Sequence, residues 1–104
     1  MRGLERWNDA GGEAPGEALL RRRLEARGYA VQRYVYPPGT VFAEHAHPHD
    51  KIDAVLSGRF RMTLPGGDVV LGAGDCLHVP AGMPHAAQVL GPEPVVSLDA
   101  ERRR

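Results

Sequence analysis

The sequence predicts an all-β fold, an antiparallel sandwich or barrel that follows an N-terminal arm and one short helix. After Gly28 the chain divides into seven or eight short segments rich in apolar and β-branched residues, which Gly and Pro residues separate. None of these segments has both the length and the periodicity of a helix. Regularly spaced short strands joined by turn residues are typical of antiparallel sandwiches and barrels.

The first quarter of the chain predicts the arm and the helix. Residues 1–14 are polar and Gly-rich except for Trp7, which we expect to pin the arm either to the body of the protein or to a neighbouring subunit. From Pro15 to Arg27 the leucines recur at helical spacing, and Gly28 follows as a stop signal. We expect this helix to lie across the outside of the β-fold, with its arginines facing solvent.

The strands are predicted from alternation of apolar and polar residues between turns. They cover residues 29–36, 40–47, 51–58, 59–64, 68–72, 75–80, 85–91 and 94–100. The chain therefore divides into an arm and helix (1–28), a β-barrel (29–100) and a charged tail (101–104). A chain of 104 residues buries only a small core, and a homodimer would enlarge it.

Composition excludes several classes of partner. The formal net charge is zero and the isoelectric point is near 7.0, so neither nucleic acid nor an anionic membrane is expected as a partner. The single cysteine, Cys76, excludes an internal disulfide and suits a reducing compartment. The chain has no signal-like apolar segment and no apolar run long enough for a membrane span. These features predict a soluble, cytoplasmic protein.

The histidines are the chemically distinctive feature of the sequence, and all five fall between residues 45 and 85. His45 and His47 alternate in a predicted strand, which places them on one face about 7 Å apart along the backbone. His85 follows a Gly- and Pro-rich turn and begins a strand that we expect to lie beside the first. Side chains placed in this way can converge on one metal ion.

Two stretches of the sequence resemble the two motifs of the cupins. The first reads Gly39-x5-His45-x-His47-x3-Lys51-x6-Gly58, and the second reads Gly74-x5-Pro80-x-Gly82-x2-His85. The resemblance runs from about Tyr34 to Leu98. It implies a jelly-roll β-barrel, commonly dimeric, with a metal ion held inside the barrel near its mouth.

Carried over residue by residue, the resemblance implies a metal site with an unusual set of ligands. His45, His47 and His85 match the family's three histidine ligands, whereas its glutamate ligand falls on Lys51. Three neutral imidazoles suit Zn, Fe, Cu, Ni or Co, and the missing carboxylate makes Mn or Mg less suitable. Such a set leaves coordination positions open for water or a substrate. The competing interpretation is a metal-free barrel whose histidines line a polar pocket.

Structural roles are favoured for the remaining polar candidates, and the alternatives are an additional metal ligand at His49 or Asp50 and a pocket role for His78. His49 and Asp50 lie in a predicted loop, where the resemblance implies polar residues that do not bind the metal. His78 shares a strand face with Cys76, and a lone histidine or cysteine in a strand is more often structural than functional.

Lys51 is the only lysine in a chain that contains twelve arginines, and three interpretations of it remain open. In the first, it pairs with Asp53 on the same strand face, beside the metal, and orients an anionic substrate. In the second, it binds a substrate carboxylate or enolate directly, or acts as a general base. In the third interpretation it points into solvent at the barrel mouth. In the first two, Lys51 and Asp53 are the candidate catalytic residues.

The predicted function is a small metal-binding cupin that holds a divalent transition metal and binds a small, anionic organic ligand. If it is an enzyme, the family implies a metal-dependent dioxygenase, decarboxylase or isomerase. The alternative is a non-catalytic small-molecule-binding or sensor module, with or without metal. A metal-free structural dimer is a third possibility, in which the three histidines would have no function.

Overall fold

The computed structural model describes residues 3–7 and 13–102, which form one helix and nine strands. Helix α1 covers Glu17–Ala26. The strands are β1 (Leu4–Glu5), β2 (Tyr29–Tyr36), β3 (Val41–His45), β4 (Lys51–Ser57), β5 (Arg59–Leu64), β6 (Gly67–Leu71), β7 (Cys76–Val79), β8 (His85–Leu90) and β9 (Val95–Arg102).

The strands form two antiparallel sheets that face each other. One has five strands in the order β1-β7-β4-β9-β2, and the other has four in the order β3-β8-β5-β6. Residues from both sheets meet in one buried cluster, in which Val55 and Leu77 of the first sheet pack with Met62 and Val89 of the second. This arrangement confirms the predicted all-β, antiparallel jelly-roll fold.

A second core lies between α1 and the outer face of the five-stranded sheet. Leu20 and Leu24 of the helix pack against Ile52, Ala54 and other apolar residues of the sheet. Strand β4 is therefore covered on both faces, which explains why its central residues are all buried instead of alternating. No helix among residues 3–7 and 13–102 is long and apolar enough to span a bilayer.

The predicted elements agree with the observed ones except at a few ends. Strand β3 stops at His45, two residues before the predicted end at residue 47. Strand β9 continues to Arg102, which places residues 101 and 102 in the sheet and not in a tail. Strand β1 was not predicted, because two residues are too few to show a pattern; its position is set by pairing with β7.

Asp75 attaches the N-terminal arm to the barrel. Its carboxylate accepts hydrogen bonds from Arg6 Nη1 at 2.9 Å, the Trp7 amide at 3.1 Å and the Gly72 amide at 2.9 Å. Trp7 lies against Gly74, where an added Cβ would come within 2.6 Å of the Trp7 Cβ. Trp7 therefore pins the arm to the body of its own chain, which is the first of the two expectations for this residue.

Candidate metal centre

The three histidines of the predicted metal site lie together at one end of the barrel. Strands β3 and β8 are neighbours, and His45 and His85 are directly paired across them, as the position of His85 predicted. His47 lies beyond the end of β3, so the prediction that it shares a strand face with His45 is wrong. The ring centroids are nevertheless 4.7 Å apart for His45 and His47, 4.3 Å for His45 and His85, and 5.1 Å for His47 and His85.

The spacing of the ring nitrogens fits a shared metal ion. One nitrogen from each ring lies within 4.8 Å of the other two. Imidazole nitrogens bind zinc at roughly 2.0–2.1 Å, so tetrahedral ligands stand about 3.3 Å from one another. A shared ion therefore requires the three rings to move closer together than they stand here. No other group of three His, Cys, Asp or Glu side chains within residues 3–7 and 13–102 is arranged in this way.

Hydrogen bonds orient two of the rings so that Nε2 of each remains free to bind a metal. His45 Nδ1 lies 2.7 Å from the Ala43 carbonyl, and His85 Nδ1 lies 3.0 Å from the Met83 carbonyl. Because a carbonyl oxygen only accepts, Nδ1 carries the proton in both rings and donates it. The Nε2 lone pair is then left for a metal, and this is how metal-binding histidines are usually held.

The surroundings also favour the neutral imidazole, which is the form that binds metals. Burial lowers the pKa of His47, and the Lys51 charge lowers it further. Burial likewise lowers the pKa of His85, although its hydrogen bond to Met83 acts in the opposite direction. Together, the geometry, the tautomers and the pKa directions fit a metal held by three histidines.

Backbone contacts join the two segments that carry the histidines. The Gly82 amide donates to the His47 carbonyl at 2.8 Å, and the Ala81 amide donates to Asp50 Oδ1 at 2.7 Å. The turn that precedes His85 is therefore tied to the loop that follows His47. Asp50 has a structural role in this connection, and its other oxygen lies 4.0 Å from His78 Nε2. Neither Asp50 nor His78 belongs to the histidine cluster.

A cavity of about 150 Å³ opens beside the histidines. Its polar lining consists of the three histidines with Lys51, Asp53 and Asp99. Its apolar lining is mainly aromatic and includes Tyr36, Phe42, Phe60 and Met62. A small molecule with both polar and apolar groups fits this lining.

Lys51 points into the cavity and pairs with Asp99. Its Nζ lies 2.6 Å from Asp99 Oδ1 and 2.8 Å from Oδ2, and its side chain is only 12% exposed. The expected pairing with Asp53 is therefore wrong, and so is the solvent-facing alternative. Residues i and i+2 of one strand stand about 7 Å apart, whereas a long side chain reaches its diagonal neighbour on the next strand. Asp99 is that neighbour, since β9 aligns Asp53 with Asp99 and Lys51 with Glu101.

Asp53 is buried directly opposite Asp99. Burial, and to a lesser extent the Asp99 charge, raises the pKa of Asp53 to about 7, although the Lys51 charge acts in the opposite direction. Burial and the same two carboxylates also raise the pKa of Tyr36 above its usual range, which keeps its phenol protonated as a hydrogen-bond donor. Neither Asp99 nor Tyr36 was predicted from the sequence, in which the only signal for Asp99 is that it is the one charged residue of the predicted strand 94–100.

The pKa of Asp53 predicts how the stability of the metal-free protein depends on pH. An unfolded Asp titrates near 3.9, so between about pH 4 and pH 7 the folded protein binds the additional proton. The resulting stability is complete below about pH 4 and is lost as the pH rises to about 7. We expect wild type to lose about 2 kcal/mol of stability between pH 5 and pH 8. Asp53→Asn, which has no carboxyl proton to lose, should not show this loss.

Urea unfolding of both metal-free proteins at the two pH values measures this effect. Asp68→Asn is the matched control, because Asp68 is exposed and lies on the other sheet. The same pH slope in wild type and Asp53→Asn would contradict the prediction.

Comparison with known proteins identifies the family. Residues 32–101 match the family model described as the cupin domain, which covers most of the chain. A cupin superfamily protein from Desulfitobacterium hafniense has a similar structure, with a TM-score of 0.64 and 21% identity over 73% of this chain and 68% of that protein. No curated protein matches this sequence.

Two longer proteins contain a similar barrel. A DMSP lyase from Ruegeria pomeroyi is 28% identical, with a TM-score of 0.65, over 73% of this chain but only 39% of its own. An oxalate decarboxylase from Bacillus subtilis, described for its Mn(II) centres, is 30% identical, with a TM-score of 0.62, over 72% of this chain and 22% of its own. The barrel with its histidine cluster and the match of the family model lead to one conclusion: the chain belongs to the cupin family.

Proposed function

We propose that the protein is a small metal-binding cupin in which His45, His47 and His85 hold one divalent transition metal ion. The observation that carries this proposal is the convergence of three ring nitrogens within 4.8 Å. Two of the rings are also held in the metal-binding tautomer. A donor set of three imidazoles favours Zn, Fe, Ni, Cu or Co. When bound, such an ion supplies a Lewis acid with open coordination positions.

The ligand is a small organic anion with an apolar part. The cavity of about 150 Å³ is well below the roughly 300–1,000 Å³ typical of pockets for drug-sized molecules. Lys51 lines the cavity, where a carboxylate or enolate can contact its ammonium beside Asp99. The rings of Tyr36 and Phe60, which stack with their centroids 5.6 Å apart, offer an apolar surface to the rest of the ligand.

The chain's own residues can bind and orient such a ligand and move a proton. The Lys51 ammonium binds the ligand's negative charge, and the Tyr36 phenol donates a hydrogen bond. Asp53, with a pKa of about 7, can give or accept a proton near neutral pH, as a general acid or base requires. Dioxygenation, decarboxylation and isomerisation are the reaction classes that these roles serve.

A non-catalytic sensor is the second candidate function, and the Lys51–Asp99 ion pair favours it. Both oxygens of Asp99 contact Lys51 Nζ, so the two charged groups are engaged with each other. Such a site recognises an anion that replaces Asp99 as the partner of Lys51. Under either candidate, we retain the predictions of a homodimer and a cytoplasmic location.

Elemental analysis of protein purified without an affinity tag tests the metal assignment. We expect about one transition metal ion per chain, and protein that stays metal-free after incubation with Zn, Fe, Ni, Cu and Co salts would contradict it.

Thermal shift measurements with acetate, pyruvate, oxalate and benzoate then test the ligand class. At least one should stabilise the metal-loaded protein, and Lys51→Met but not Arg33→Met should abolish that gain, because Arg33 lies on the surface and pairs with Glu17. Consumption of the stabilising anion distinguishes an enzyme from a sensor.

A further inference from the structure

The Lys51–Asp99 ion pair lies between two adjoining cavities. Both residues line the barrel cavity beside the histidines. Both also line a separate groove on the same sheet, together with Gln32, Tyr34 and Glu101. The pair is mostly shielded from solvent, since the side chains of Lys51 and Asp99 are 12% and 20% exposed. Solvent therefore screens the charges of this pair less than those of a surface pair.

An ammonium group in this position opposes metal binding at the histidines. Lys51 shares the cavity with His45, His47 and His85, and like charges in one cavity repel each other.

We propose that Asp99 makes the three-histidine site compatible with Lys51, by neutralising the ammonium and fixing its Nζ to strand β9. The inference rests on the metal-binding function proposed above and assigns Asp99 the role of a positioning residue. Two contacts of 2.6 and 2.8 Å carry it, since Asp99 engages Nζ through both carboxylate oxygens. Strand β9 thus supplies a carboxylate beside Lys51, whereas the cupin motif has a carboxylate at position 51 itself.

Asp99 is better suited to this role than Asp53. Asp53 lies deeper and faces Asp99 across the strands, where two adjacent carboxylates disfavour double ionisation. Asp99 is the one that contacts the ammonium. Because the Lys51–Asp99 pair is neutral overall and imidazoles bind a metal in their neutral form, neither cancels the charge of a bound divalent ion. This charge balance favours an anionic ligand in the cavity.

Zinc affinity across a double-mutant cycle tests the proposal. The proteins are wild type, Lys51→Met, Asp99→Asn and the double variant, titrated with Zn²⁺ against a competing chelator. We expect Asp99→Asn to weaken zinc binding by about 10-fold or more, because the unpaired ammonium then repels the ion in the same cavity. Removing the unpaired ammonium in the double variant should restore the affinity to that of Lys51→Met. Asp99→Glu should retain most of it, whereas Asp68→Asn should have no effect.

The outcomes separate this inference from the proposed function. If wild type binds zinc and Asp99→Asn binds it equally well, the role of Asp99 is wrong and the metal site stands. If neither wild type nor Lys51→Met binds zinc, both proposals are wrong. If Asp99→Asn does not fold, the zinc affinity of the double variant is compared with that of Lys51→Met instead. Affinity equal to that of Lys51→Met supports the inference, and a large further loss overturns it, because Asp99 would then act independently of the lysine.

Discussion

Replacing His85 by alanine is expected to weaken zinc binding by at least about 100-fold. Binding free energies of structural zinc sites amount to roughly 10–16 kcal/mol over four ligands, or about 3 kcal/mol per ligand. His85 is the buried member of the cluster and lies directly opposite His45. Its loss leaves two imidazoles, one at the end of β3 and one just beyond it, with no ligand from the neighbouring strand β8. Titration with Zn²⁺ against a competing chelator measures the change.

The other histidines of the chain provide matched controls for this prediction. His49→Ala and His78→Ala make the same substitution outside the cluster and should leave zinc affinity within about threefold of wild type. Circular dichroism of the metal-free proteins verifies that all three variants fold. Unchanged affinity in His85→Ala, or an equal loss in His49→Ala, would show that the ion is bound elsewhere.

Gly58→Ala is expected to destabilise the fold by about 3 kcal/mol or more. Gly58 joins β4 to β5 with a φ of +87°, a conformation that costs an L-residue roughly 1–2 kcal/mol. An added Cβ would also overlap the Pro94 carbonyl oxygen and lie 3.0 Å from the Val95 Cα. These neighbours are backbone atoms at the start of β9, so the contact is relieved only by moving a strand, which adds roughly 1–3 kcal/mol.

Gly66→Ala is the matched control for Gly58→Ala. Gly66 lies in the turn between β5 and β6, and nothing lies within 4 Å of the Cβ that alanine would add. Its substitution should change the free energy of unfolding by less than about 0.5 kcal/mol. Urea denaturation of the metal-free proteins compares the two variants. Equal stability of Gly58→Ala and wild type would mean that Gly58 does not lie against β9.

The sequence was sufficient to predict the strands and the identity of the histidine cluster. Both depend on local signals, namely alternation between turn residues and the motif spacing around His45 and His85. The structure brings these two residues together as that spacing implied. The exact end of β3 was not predictable, because the pairing of β3 with β8 shifts register between Phe42 and His45.

The partner of Lys51 was not predictable, because it depends on a contact between two strands that are far apart in the sequence. Lys51 and Asp99 are 48 residues apart, and only the register of β4 against β9 makes them diagonal neighbours. A local pattern shows which residues of one strand share a face, and therefore suggested Asp53. It contains no information about which residue of another strand lies beside them. The charge balance of the site became visible only in the folded chain.

Anomalous diffraction from crystals grown with a divalent transition metal tests the central claim most directly. Data collected on both sides of the metal's absorption edge locate the ion and identify the element. We predict a single peak about 2.0–2.2 Å from one ring nitrogen of each of His45, His47 and His85, with Lys51 still bound to Asp99. No peak at these histidines, or a peak at other residues, would contradict the proposed metal centre.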